Sequence, residues 1–309
     1  MAAPNLIDRL FRTQRARDAA ALRRLRDTCD TLMSERGAAN SAKFAALAME
    51  RYATLGDGAR EAFFGLLAER YAPDPERVLA CAKAYAAERS AENLASLFQE
   101  VEPPRQELLR RINRAPQGTA ALVRMRANLL KAVKANPALA AVDADFTHLF
   151  GSWFGPGFLE LARVDWKSPA SLLEQIIRHE AVHAVRDWDD LRRRLEPDRR
   201  CFAFLHPALP DELLIFVEVA LLEDMPAAID PLIESRDVDA HSTKARCAVF
   251  YSISNCQPGL RGVSLGDFLI KRVCEYLQRE TPSVRRFCTL SPMPGFAAWL
   301  RAGAPLDAE

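Results

Sequence analysis

Two short stretches of this 309-residue sequence hold residue types that could do chemistry. The first is HEAVH, residues 179–183, which spells the H-E-x-x-H pattern of zinc peptidases. On a continuous helix His179 and His183 stand four apart and share a face, so both imidazoles could bind one zinc ion while Glu180 acts as general base. A zinc site also needs a third ligand. Glu212 and Glu218 are the acidic candidates, although Glu218 sits inside an apolar run and nothing in the spacing aims either one at the histidines. An ordinary amphipathic helix spells the same string, so a remote metallopeptidase reading and a structural one both stand. The second stretch is the loop formed by Arg261, Gly262, Val263, Ser264, Leu265, Gly266 and Asp267. Small residues where a chain turns from a strand into a helix let several backbone N–H groups converge on an anion, with phosphate or pyrophosphate as the natural ligand. A plain strand-to-helix turn has the same composition and remains the alternative.

The elements that must position these residues are legible from periodicity. From Leu6 to about Leu139, apolar residues recur at intervals of three and four: Leu6 and Leu10; Phe63, Leu67 and Tyr71; Leu108, Leu109 and Ile112; Val123, Leu130 and Val133. That spacing predicts an all-helical unit. Glycines and prolines at 56–58, 103–104, 116 and 137 mark its breaks. After about residue 148 the texture changes, with three glycines and a proline around Trp153 and Phe154. Runs of strand length follow at 201–205, 213–222, 248–254 and 286–290, the second apolar enough for a central position. Helices are expected at 169–186, capped by Ser168 with Pro169 in its first turn, and at 265–279. Helices first and a helix-bearing sheet second make an α+β chain.

Composition narrows the class. Hydrophobic residues make up 49% and the formal net charge is +1, which excludes a disordered chain and gives no reason to expect a nucleic-acid partner. No window approaches the roughly 18–20 apolar residues of a membrane span, and the N-terminus lacks a secretory apolar region, so a cytoplasmic location is expected. The arginines between Arg9 and Arg26 are broken by Asp18 and read as a solvated helix face, not as a transit peptide. Seven cysteines without C-x-x-C spacing read as reduced thiols in the core.

Several longer stretches then point together. SWFGPGFLEL (152–161), EAVH with RDWDDLRRRL (180–195), HPALPDELLIFVEVAL (206–221), FYSISNCQPGLRGVSLGDFLIKRV (250–273) and LQRETPSVRRFCTLSPMPGF (277–296) resemble the malonyl-CoA decarboxylase family. More broadly, Arg261–Gly266 resembles the R-x-x-G-x-G/A loop of the acetyltransferase-like (GNAT) CoA-binding fold, with Ser264 in place of the first glycine. The resemblance implies a helical domain over 1–148 and a GNAT-like catalytic domain over 149–309. It implies conversion of malonyl-CoA to acetyl-CoA and CO2 through an enolate, a role in fatty acid metabolism, no metal and no further cofactor. The loop Arg261–Asp267 would bind the CoA pyrophosphate, and Ser291 would act at the malonyl group, where a hydroxyl capping the turn before Pro292 is the structural alternative. His179 becomes incidental, and His183 and His206 become packing or capping residues. The family uses a general-acid histidine well beyond the serine, and no histidine follows Ser291 in this sequence. The resemblance therefore implies a domain incomplete at its C-terminus, with a catalytically impaired CoA-binding fragment or pseudoenzyme as the alternative to an active lyase. It also implies a homo-oligomer.

Overall fold

The structure, a computed structural model, describes residues 6–34, 40–234 and 244–303. Two compact units divide the chain: Met1–Gly155 with Pro258–Val263, and Pro156–Gln257 with Ser264–Glu309.

The first unit is helical. α1 (Leu6–Met33), α2 (Ser41–Ala53), α3 (Asp57–Arg70), α4 (Pro75–Ala87), α5 (Ala91–Val101), α6 (Pro104–Asn113), α7 (Gly118–Val133) and α8 (Ala140–Trp153) follow one another. The breaks fall at the residues that cannot continue a helix. Gly56 sits at the N-cap of α3, Pro104 opens α6, and Pro137 opens a single 3-10 turn before α8. Phe63, Leu67, Tyr71, Leu108, Leu109, Ile112 and Val123 are buried, as their spacing predicts. The side chains of Leu6 and Leu10 lie outside the described residues. Along α1, Arg15, Arg17, Arg23 and Arg24 are exposed while Leu25, Cys29 and Leu32 are buried, which is the solvated face expected of the arginine run. Buried Arg105 pairs with Asp145, whose other oxygen accepts from Gln106 at 2.6 Å, so α6 and α8 are joined by a satisfied polar contact inside the core.

The second unit is a five-stranded sheet in sequential order: β1 (Glu160–Val164), β2 (Arg199–Leu205), β3 (Ile215–Leu222), β4 (Cys247–Asn255) and β5 (Arg286–Thr289). The first three pairings are antiparallel and β4–β5 is parallel. A parallel pair needs a crossover, supplied here by α12 (Gly266–Glu280). β3 is buried along almost its whole length, consistent with its unbroken apolar run and central place. α12 packs on one face through Phe268 on Phe204, with ring centroids 5.4 Å apart, and Tyr276 on Phe202 at 4.9 Å. Leu173 and Ile176 of α9 (Ala170–His179) and Leu191 of α10 (Trp188–Arg194) join a second cluster with Cys201, Ala203 and Phe216. Two short helices, α11 (Asp230–Glu234) and α13 (Phe296–Arg301), complete the unit.

One expected element is shorter than its pattern. The helix predicted over 169–186 ends at His179, and Ser168 does not cap it. Pro169 occupies the cap position, and the Ser168 hydroxyl instead accepts from the Asp165 amide at 3.0 Å, closing the preceding turn. Cys29, Cys201, Cys247 and Cys256 are buried free thiols and the other three are partly buried.

Candidate active site

The end of α9 decides what HEAVH is. In a continuing helix the amides of Val182 and His183 would bond back to the carbonyls of Arg178 and His179. Here both amides donate to Glu180 Oε1 at 2.8 Å, and Glu180 is buried against β4. Ser252 Oγ donates to the same carboxylate at 2.7–2.8 Å and Ser254 Oγ at 3.2 Å, while Ser254 Oγ also accepts from the Ala181 amide at 3.1 Å. A carboxylate offered two hydroxyls by the neighbouring strand and two amides by its own turn outcompetes two more residues of helix, so the chain leaves α9 in extended backbone at Glu180. His179 and His183 consequently do not share a helix face, which removes the geometry on which the zinc reading rested. Glu180 acts as a knot that pins the 180–183 turn to the sheet.

The acidic residues considered as a third ligand have other partners. Glu212 accepts from Gln257 Nε2 at 3.0 Å. Glu218 is wholly buried and takes Arg194 Nη1 at 2.9 Å. Burial pushes the Glu218 carboxyl up to about 7, Arg194 opposing the rise and the charge of Glu180 adding to it. Arg194 also donates to Asp190 Oδ1 at 3.2 Å; burial would raise Asp190, but the Arg186 amide and Arg194 hold it below its ordinary range. His179 is pushed down by partial burial and by Arg178. His206 caps its own turn, its Nδ1 accepting from the Ala208 amide at 3.1 Å.

Beyond this knot lies a hollow of about 490 Å³ whose wall includes His183, Ile229, Leu290 and Ser291. Ser291 follows the carboxyl end of β5, and the Leu290 amide just before it donates to the Phe250 carbonyl at 2.8 Å. Ser291 is exposed, and among the described residues no group is hydrogen-bonded to its hydroxyl. The wall behind is apolar: Leu232, Val249, Tyr251, Ile229, Cys288 and Leu290 form one cluster. Its far side is held by Arg199, which donates to the Leu232 carbonyl at 2.8 Å and to Asp198 at 2.6 Å. Asp198 in turn takes Arg193 on both oxygens at 2.7 and 2.9 Å.

The glycine loop divides at 263/264. Arg261, Gly262 and Val263 group with the helical unit, and Ser264, Leu265, Gly266 and Asp267 with the sheet unit. Within the helical unit the 3-10 turn Pro258–Leu260 lies against α7. Arg126 Nη1 donates to the Gly259 carbonyl at 2.8 Å, and a Cβ on Gly259 would stand 1.9 Å from the Val123 carbonyl oxygen, so only glycine fits. Gly262 has φ +82°, the left-handed region that also favours glycine. Within the sheet unit Leu265 is the N-cap of α12; its apolar side chain cannot take up the first-turn amides, which leaves them available to an external acceptor. Arg261, Ser264 and Asp267 are exposed.

The family model of the malonyl-CoA decarboxylase C-terminal domain matches residues 157–308, and that of the N-terminal domain matches 71–154. The chain belongs to the malonyl-CoA decarboxylase family. The crystal structure of malonyl-CoA decarboxylase from Rhodopseudomonas palustris is 50% identical, with a TM-score of 0.83 over 93% of this chain and 70% of that one. That from Agrobacterium vitis is 45% identical with a TM-score of 0.85 over 92% and 70%. Mitochondrial malonyl-CoA decarboxylase of Anser anser anser is 38% identical over 266 residues, 81% of this chain. The chain spans about half the length of that curated relative, 52%. No helix among the described residues is long and apolar enough to cross a membrane.

Sequence reasoning missed Glu180 as a structural acceptor, Ser252 and Ser254 as its donors, and Arg194 opposite Glu218. A signal for them existed. Two serines two apart inside the apolar run AVFYSIS share one strand face, and buried hydroxyls on one face require a buried acceptor.

Proposed function

We propose that the chain takes malonyl-CoA, releases CO2 and leaves acetyl-CoA. In this reading residues 1–148 form a helical domain and 149–309 an acetyltransferase-like domain that carries the chemistry. The observation that supports it best is the hollow beside β5, in which Ser291 and Thr289 offer hydroxyls over an apolar floor. Decarboxylation breaks the bond between C2 and the carboxylate, and its electron pair moves into the thioester as an enolate. The protein has to stabilise that negative charge and a proton has to reach C2. Ser291 would donate to the reacting malonyl group. The backbone amides of Arg261–Asp267 would take the CoA pyrophosphate, helped by the positive end of the α12 dipole and by Arg261, with Asp267 opposing.

A second reading, CoA binding without turnover, is favoured by one observation: Ser291 has no hydrogen-bonding partner among the described residues. The same assay separates the two. Acetyl-CoA formation is measured beside CoA binding for the chain and for Ser291→Ala. Turnover abolished by the substitution, with binding retained, supports the decarboxylase; binding with no turnover in either protein supports the second reading; no binding of CoA at all refutes both. A cytoplasmic location and a homo-oligomer without nucleic-acid or membrane partners belong to the proposal, and light scattering on the purified chain tests the oligomer.

A further inference from the structure

The hollow beside β5 has one side chain on its wall that the proposed chemistry leaves unused. Among the described residues that line it, His183 is the single ionisable one. Thr289 and Ser291 add hydroxyls, and the rest of the lining is apolar.

His183 is held in place by its backbone and its ring face, not by its nitrogens. Its amide donates to Glu180 Oε1 at 2.8 Å, within the knot that ties the turn to β4. Its ring lies beside that of Tyr251, with centroids 6.4 Å apart and planes tilted by 40°. Tyr251 is buried in the apolar cluster and gives that ring a fixed neighbour. The imidazole makes no hydrogen bond with any described residue, and the side chain is partly exposed. A positioned imidazole whose nitrogens are free and reachable from the hollow is available to whatever enters it.

What enters has two polar ends. On the malonyl-CoA reading, on which this inference rests, Ser291 serves the thioester end, and the carboxylate at the other end needs a donor of its own. Moving a carboxylate unpaired from water to an apolar wall is costly. The side chains of Ala227, Ala228, Ile229, Leu290 and Pro292 offer it nothing.

We propose that His183 is the residue that recognises malonyl: a ring N–H donates to the malonyl carboxylate, selects malonyl-CoA over acetyl-CoA and fixes the direction in which CO2 leaves. One donor orients the carboxylate, and the apolar wall beside it favours neutral CO2 over the charge. His183 is then a binding residue and not the packing or capping residue that its sequence context suggests.

Competition against a fluorescent CoA in rapid mixing tests this on the full chain, because it reads binding before CO2 leaves and gives a Kd whether or not turnover follows. The parent is expected to bind malonyl-CoA at least about tenfold more tightly than acetyl-CoA, the effect of one charge-assisted bond. His183→Ala brings the two within about threefold by weakening malonyl-CoA alone. His183→Glu sets a like charge against the carboxylate, so it weakens malonyl-CoA further and leaves acetyl-CoA where it was. A merely structural role would move both thioesters together. Because the imidazole makes no hydrogen bond within the described fold, both variants are expected to keep the parent's circular dichroism. The assignment is overturned if the parent does not discriminate, if His183→Ala keeps the preference, if both thioesters weaken in parallel, or if His183→Glu binds malonyl-CoA as tightly as His183→Ala. Failure of the parent to bind either thioester overturns the malonyl-CoA reading itself and this role with it. Discrimination that depends on His183 in a chain releasing no CO2 sustains the assignment and removes only the activity.

Discussion

Replacing Gly259 by alanine tests how the glycine loop is anchored. The new Cβ would lie 1.9 Å from the Val123 carbonyl oxygen, 2.8 Å from its carbon and 3.0 Å from Val123 Cγ1. Two of those atoms are backbone in the middle of α7, so no rotamer change relieves the clash and the turn must move by roughly 1 Å in a close-packed interior. Such overpacking costs about 1–3 kcal/mol. The movement also stretches the 2.8 Å bond from Arg126, a side chain 2% exposed. Losing a hydrogen bond to a buried charged group adds about 1.5–3 kcal/mol, for a total of about 2.5–6 kcal/mol. Gly262→Ala is the internal control: it has no atom within 4 Å of its Cβ, and only its φ of +82° resists the change, at about 1–2 kcal/mol. Urea unfolding followed by far-UV circular dichroism reads both. At an m-value of about 2 kcal/mol/M, Gly259→Ala lowers the midpoint by about 1.3–3 M and Gly262→Ala by less than about 1 M. Equal midpoints for the two variants, or a milder effect at Gly259, would refute the close-approach argument.

Glu218 should make stability fall as pH rises. Its folded pKa of about 7 exceeds the ordinary 4.5, so the folded state holds the proton more tightly than the unfolded one. Its contribution is fully present below 4.5 and lost between 4.5 and 7, by about 3 kcal/mol at most, and Glu218→Gln should flatten that part of the urea-midpoint profile. Glu180→Ala strands the hydroxyls of Ser252 and Ser254 and two turn amides, at a cost of about 3 kcal/mol or more; a denaturation midpoint within error of the parent would show that the knot is dispensable. Gly266 has only Ile215 Cδ1, at 3.9 Å, near its Cβ position, so alanine there fits the fold. A loss of CoA affinity in Gly266→Ala at unchanged stability would report on the ligand; unchanged affinity would remove Gly266 from the loop proposal.

The helical unit was legible because period and punctuation agree. Phe63, Leu67 and Tyr71 recur at helical spacing, and Pro104 and Pro137 end or open elements by their missing N–H. The strands at 201–205, 213–222, 248–254 and 286–290 were legible as apolar runs and lie within one or two residues of β2 to β5. β1 was not, because ELARV is a five-residue edge strand only partly buried, with little apolar signal. The end of α9 was hidden for another reason. Positions 180–186 continue an acceptable helical pattern, and what stops them is a contact with Ser252 and Ser254, some seventy residues away in sequence. Periodicity registers local preference, and a buried carboxylate met by distant hydroxyls overrides it.

The placement of residues 258–263 with the helical unit bears on how such proteins can be cut and recombined. A fragment ending at residue 155 would leave Arg126 without its Gly259 acceptor and would bare the strip of α7 around Val123 that this turn covers. Exchange of the helical unit between relatives therefore has to carry a short piece from the far half of the gene along with it. Residues 258–263 and the α7 surface they touch must change together, and a swap that moves one without the other meets a steric mismatch at a glycine.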